Sequence, residues 1–238
     1  MSTSLLVAGL MLSLGAVVQG MVGFGLTLVA IPVVAMVQPE LLPGPILLAA
    51  SVHPVLSVLR ERGHVDWHGV RWAALGRVPG TAVGVLIVDT LAPRAFFIVV
   101  GAGVLAITLL SMTSWRPRRT PQTLSAAGLL SGALGTAMAT GGPPLALLYQ
   151  HERGARIRAT LGAYFVIGTT LSAGSLAAAG HLDLDDVRSA VRLLPFLTVG
   201  FVLSGPARRI VDGGRIRYAV LGFAAASSLV LIARSLLI

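Results

Sequence analysis

The length of its charge-free runs constrains this chain more than any other feature. Residues 1–39 contain no charged side chain, and further uncharged stretches cover 41–59, 95–115, 120–150, 159–180, 193–207 and 218–233, with 72–88 interrupted only by Arg77. A membrane-crossing helix needs about 20 mostly apolar residues, so eight apolar spans follow. Only 11% of the 238 residues are charged, where a soluble domain of this size carries about 25%. That composition cannot clothe a water-facing surface, which excludes an aqueous globular enzyme.

All 18 basic residues are arginine, against 9 acidic residues. A nucleic-acid binder gathers its positive charge on one face or stripe, whereas these arginines stand in short clusters between apolar spans, so no nucleic-acid partner is expected. The chain has no cysteine, which excludes disulfide frameworks and thiolate chemistry. MSTS at the start has no positive charge, unlike the n-region of a signal peptide, and the first span is read as retained structure.

The first and fifth spans are too long for one crossing and short for two, and each has a glycine-rich interruption: QGMVGFG at 19–25 and TAMATGGPP at 136–144. Each is either one broken crossing or a helix that enters, breaks and returns. Cytoplasmic loops collect the excess of arginine. If both spans cross once, the two sides receive 9 and 8 arginines; if both are hairpins, one side keeps only Arg94, Arg188, Arg192 and Arg234, and the other collects 13. The hairpin reading gives the bias, with both termini non-cytoplasmic.

The chain also repeats itself. GHVDWHGVR at 63–71 matches GHLDLDDVR at 180–188, Pro79 aligns with Pro195, and Gly25 falls on Gly142 at nearly the same offset. The expected division is 1–118 and 119–238, two units within one membrane domain. Each unit has five membrane elements under the hairpin reading, an odd number, so the second copy must be inverted. Inverted repeats mark secondary transporters, whose sites lie near the bilayer midplane where discontinuous helices meet. The expected fold is therefore all-α, a polytopic transmembrane helical bundle of two inverted repeats, each opening with a broken, re-entrant-like hairpin.

A helix restarting after a break presents unsatisfied N–H groups and a partial positive charge, and two opposed N-termini make an anion site. Glycines in membrane helices also serve as close-packing devices, the reading given to Gly101, Gly103, Gly128 and Gly132. The GFG-x6-P pattern (Gly23, Phe24, Gly25, Pro32), the GGPP of Gly141 to Pro144, the length and the duplication resemble the sulfite exporter TauE/SafE family of permeases, also called toluene sulfonate uptake permeases. The resemblance implies transport of small sulfur-containing or organic anions, such as sulfite, sulfonates and sulfoacetate, across the inner membrane.

The expected substrate-binding set is Gln19, Gly23, Phe24, Gly25, Thr140, Gly141, Gly142, Pro143, His53 and Arg77. First-turn amides would hold the anion, Phe24 would form an apolar wall, and Gln19 or Thr140 would donate hydrogen bonds. Arg77 can pair with an anion or extend its head to the interface from a position six residues after Arg71. His53 can carry a proton or be a hydrogen-bonded structural histidine. Gln150 is a further polar residue within a span. His64, Asp66 and His68 alternate like metal ligands, but Asp185 replaces His68 in the second copy, and Asp66 and Asp183 stand where helix N-caps do. No metal and no cofactor are expected.

The expected partners are a small anionic substrate, a coupling proton or sodium ion, the lipid bilayer and a second copy of the chain. An anion channel or membrane helper subunit is the alternative. An intramembrane serine protease would need Ser131 or Ser175 against His53, His151 or His181, and no G-x-S-x-G elbow is present.

Overall fold

The computed structural model describes residues 3–112, 117–149, 152, 154–210 and 213–237. Gln150, His151, Arg116 and Arg153 lie outside them, as do the side chains of Arg208, Arg209, Arg215 and Arg217. All regular structure among the described residues is helical. α1 (Thr3–Val22) ends at the first glycine cluster and α2 (Leu26–Val37) follows it, while α7 (Pro121–Met138) ends at the second and α8 (Gly142–Tyr149) follows that. The intervening elements are α3 (Gly44–Ala50), α4 (Val52–Glu61), α5 (Trp67–Thr90) and α6 (Pro93–Met112) in the first half, then α9 (Gly154–Ala178), α10 (Leu184–Ile210) and α11 (Gly213–Leu237) in the second.

Both breaks turn the chain back on itself. Gly15 of α1 lies so close to the Leu26 backbone that a Cβ there would overlap its carbonyl oxygen, and Gly135 of α7 lies against Gly141. α2 and α8, at 12 and 8 residues, span about 18 and 12 Å at 1.5 Å per residue, short of a hydrocarbon core about 30 Å thick. They pack along α1 and α7 instead of extending them.

Among the described residues, four helices are long and apolar enough to cross a membrane: Thr3–Val22, Trp67–Thr90, Gly154–Ala178 and Leu184–Ala207. Leu26–Val37, Pro93–Ala106 and Leu221–Leu237 are shorter and apolar. The span read at 41–59 is divided at Ser51 into α3 and α4; Pro54, just inside α4, has no N–H to donate to the preceding turn. Large apolar side chains such as Leu10, Leu75, Leu86, Leu130, Val202 and Leu229 face outward. So many exposed apolar groups on the long helices suit lipid and not water, and the protein is a multi-pass membrane protein.

The cores are built across the two halves. Leu12, Ala16, Leu26, Ala30 and Val34 of the first hairpin pack on Leu193 and Leu197 of α10, and Leu124, Leu145 and Tyr149 of the second pack on Val70 and Ala73 of α5. α5 and α7 form the most extensive helix pair, because Gly76 and Gly80 meet the Ser125 and Leu129 carbonyls and Gly128 meets that of Ala73, where any Cβ would collide. Without a hydrophobic driving force between helices in lipid, small residues let backbones approach closely enough for dispersion contacts to hold them.

Helix starts follow capping chemistry. Asp66 accepts a hydrogen bond from the Gly69 N–H at 3.1 Å, and Asp183 accepts from the Asp185 and Asp186 N–H groups at 2.8 and 2.9 Å, so both are caps as their positions imply. Asp66 also accepts from the Tyr149 hydroxyl at 2.8 Å, and its own N–H donates to Thr160 Oγ1 at 3.0 Å, tying α5 to α8 and α9. Partial burial raises its pKa, but the Gly69 N–H, the Tyr149 hydroxyl, Arg156 and Arg119 together outweigh that and hold the carboxyl below its ordinary value. A depressed carboxylate contributes stability that is present above its unfolded pKa and lost as pH falls through the folded one. Asp66→Ala is expected to lower stability in detergent by about 1 kcal/mol near neutral pH, with the deficit shrinking under acid, read by thermal melts across pH.

Glu152 pairs with both Arg119 and Arg156, and Glu61 pairs with Arg158, so the arginines near 60, 119 and 156 share one end of the bundle. Arg94 donates to the Leu236 carbonyl and Arg234 to that of Met36, joining the starts and ends of other elements elsewhere. If each glycine-broken span crossed once, Arg119 and Arg156 would be on opposite sides.

Candidate functional site

The first break needs glycine. Gly23 and Gly25 have φ of 100° and 115°, backbone that L side chains rarely adopt. Leu26 opens α2 immediately after, and its N–H donates to Gln19 Oε1 at 3.3 Å. Thr27 and Leu28 follow in the first turn, where no carbonyl four residues back lies within the helix. The second break leaves α7 through Ala139 at φ 51°, and α8 then reads Gly142, Pro143, Pro144. Two consecutive prolines suit a first helical turn but supply no N–H. The first break therefore offers more hydrogen-bond donors than the second, an asymmetry the sequence expectation did not include.

The two breaks meet at a cavity of about 40 Å³ lined by Gln19, Phe24, Gly25 and Thr27 from one side and Gly141, Gly142 and Pro143 from the other. That is room for roughly three waters or one compact anion. Phe165 and Thr169 of α9 and Leu47 of α3 complete its wall. Gly142 sits between the aromatic residues: a Cβ there would lie 3.1 Å from Phe165 and 3.2 Å from Phe24.

Arg77 stands directly behind the second break. It is 2% exposed, so the interfacial alternative is wrong for this residue. A Cβ on Gly135 would lie 2.9 Å from its Nη2 and one on Gly141 3.2 Å from its Nη1; both glycines line the cavity. Nη1 donates to Ser131 Oγ at 3.3 Å and to the Tyr164 hydroxyl at 3.2 Å, and Nη2 donates to Ser172 Oγ at 3.1 Å. Its carbon lies 5.1 Å from the Tyr164 ring centre. Nε is buried without a hydrogen-bond partner, and no carboxylate pairs with the guanidinium among the described residues. Ser131 in turn donates to the Gly141 carbonyl, so one hydroxyl touches both the arginine and the break.

His53 is buried behind the first break. Its Nε2 lies 3.1 Å from the Ala16 carbonyl and its Nδ1 3.2 Å from Gln19 Nε2. Gln19 thus joins the histidine to the α2 N-terminus.

Six of the ten expected residues line the cavity: Gln19, Phe24, Gly25, Gly141, Gly142 and Pro143. His53 and Arg77 lie one layer behind. Gly23 faces Ile157 and Arg158 instead, and the Thr140 hydroxyl donates to the Met138 carbonyl of its own chain at 3.0 Å. Ser131 bonds to Arg77 and Gly141, which engages it away from the His53 pairing a protease would need. Gly168 went unnoticed in the sequence, yet any Cβ there would run into the Arg77 guanidinium; nothing in its surroundings on α9 distinguishes it from a packing glycine.

The family model for sulfite exporter TauE/SafE matches residues 6–231. The probable sulfite/organosulfonate exporter TauE of Cupriavidus necator is 24% identical over 204 residues, covering 81% of this chain and 80% of that protein. No solved structure matches. With the match running through both glycine breaks and nearly every helix, the chain belongs to the sulfite exporter TauE/SafE family of membrane transporters.

Proposed function

We propose that this protein is a permease for small anions, of the sulfite and organosulfonate class, and that the anion binds in the cavity between the two breaks. The observation that carries this reading is Arg77, a buried guanidinium with an unpartnered Nε and no acid beside it. Burying a charge without a counter-ion costs several kcal/mol, and an anion in the adjoining cavity supplies one. The amides of Thr27 and Leu28 and the positive end of α2 add to the attraction. The compound class comes from the name of the Cupriavidus relative and suits a small oxyanion.

Alternating access is supported by the way each hairpin packs on a helix from the other half, since tilting one half against the other opens the cavity from either side. We take the halves, 1–118 and 119–238, as inverted copies, a reading favoured by the arginines that share one end. That end is then cytoplasmic, and a reporter fused at the C-terminus is expected to read non-cytoplasmic; a cytoplasmic signal would refute the orientation.

Purified protein in liposomes, challenged with sulfite, sulfoacetate, an aromatic sulfonate and a carboxylate, is expected to give saturable, gradient-driven flux of the small sulfonates and sulfite. Conductance far above carrier turnover would make it a channel. Flux of none of them would remove the anion reading.

A further inference from the structure

We propose that His53 is the coupling-proton site of this permease, and that its protonation frees the Leu26 N–H for the anion by turning the Gln19 amide. The proposal rests on the anion-site reading above and adds the coupling ion and the group that carries it.

The hydrogen-bond roles follow from the partners. A carbonyl only accepts, so His53 Nε2 carries the hydrogen it donates to Ala16, at 3.1 Å. Nδ1 then accepts from the Gln19 amide nitrogen at 3.2 Å. This orients Gln19 so that its oxygen accepts from the Leu26 N–H at 3.3 Å. In the neutral state the first N–H of α2 is occupied by the protein itself.

A proton from solvent added to the Nδ1 lone pair makes that nitrogen a donor. The Gln19 nitrogen facing it becomes a mismatch of two donors. Rotation of the amide brings the oxygen to Nδ1 and the nitrogen toward Leu26, where two N–H groups again confront each other, so the Leu26 bond breaks. Ser57 Oγ, 3.4 Å from Nδ1, is another acceptor within reach, and using it also removes the bond that orients Gln19, which leaves the amide free to turn. In either case Leu26 or the turned amide offers a donor at the cavity wall that Gln19 and Gly25 form. The imidazolium gains one positive charge and the anion brings one negative charge, so the loaded site has the same net charge as the empty one.

The surrounding charges favour joint loading. α1, α2 and α3 carry no charged residue. On α4, Arg60 stacks over Phe201, whose ring is edge-on to His53, while Glu61 is engaged by Arg158 of α9. Arg156 of α9 faces Asp66 and Glu152. On α10, among the described side chains, the charged residues Asp185, Asp186, Arg188 and Arg192 lie in the first turns, far along the helix from Phe201. Arg60, together with Arg77 across the cavity, opposes a lone proton on His53; an anion between them reverses that opposition. The linkage is reciprocal, so each ligand tightens the other.

The test uses the full-length protein in weakly buffered detergent, titrated with methanesulfonate, which does not itself titrate near neutral pH. Uptake of about one proton per anion bound is expected, with affinity rising about tenfold per pH unit lowered while His53 starts neutral. His53→Asn keeps an acceptor near the Nδ1 position but cannot take the proton, and is expected to bind more weakly, with a flat pH profile and no uptake. Binding by the natural protein without proton uptake overturns the proposal and leaves the anion site standing, and uptake that persists in His53→Asn overturns it as well. If the variant fails to fold, the pH dependence of the natural protein decides alone, and a flat affinity overturns it. Absence of methanesulfonate binding at every pH overturns the anion-site reading itself.

Discussion

Gly25→Val is expected to reduce anion flux to background while the protein still inserts and can be purified. Gly25 has a φ of 115° and ψ of −6°, where a β-branched residue is strained by about 1–3 kcal/mol, and a Cβ there lies 3.0 Å from Val18. The strain is relieved by turning the chain between Phe24 and Leu26, which moves the first turn of α2 away from the cavity. α1 and α2 remain held by Leu12, Ala16, Ala30 and Val34 against α10, so the loss is local. Gly142→Val acts from the other side by pressing on Phe24 and Phe165, and is expected to block the cavity similarly. Flux retained by both variants would remove the breaks from the site.

Arg77→Met is expected to weaken anion binding about a hundredfold and, at the same time, to leave the protein as stable as before or more stable. At roughly 6 Å and an effective dielectric of about 20, a unit charge contributes about 3 kcal/mol to a monovalent anion, which is about a hundredfold in affinity. An apolar side chain of similar volume also removes the cost of burying an unpaired charge, and such exchanges are often neutral or stabilising. Opposite movement of binding and melting temperature distinguishes a ligand-binding arginine from a structural one, for which both would fall. Arg77→Lys keeps the charge but cannot span Ser131, Tyr164 and Ser172 together, and an intermediate affinity is expected.

Much of the architecture was legible because membrane residence writes itself into local composition. The charge-free runs gave the membrane class, and the matched glycine clusters gave two breaks that do converge on one cavity. Asp66 and Asp183 were legible as caps because capping depends on residues two or three positions away. The environment of Arg77 was not, since Ser131, Tyr164 and Ser172 stand 54, 87 and 95 residues from it, and no local pattern records such distances. Gly168 is of the same kind: its lack of a side chain matters only because an arginine from another helix lies over it. Thr140 looked like a donor by position and spends its hydroxyl on the chain behind it. The division of 41–59 into two helices turns on Pro54 and on tertiary packing, which hydropathy does not resolve.

The natural chain contains no cysteine, so a single introduced thiol reports on one place. Thr169→Cys lies in the cavity wall, and Ser235→Cys lies in a separate groove beside Arg94 and Arg234. The rate of thiol labelling at each position, with and without saturating methanesulfonate, tests directly whether the anion occupies the space between the breaks. The account predicts that the anion slows labelling at position 169 and leaves 235 unchanged. An unchanged rate at 169 under conditions where the anion is shown to bind would contradict it.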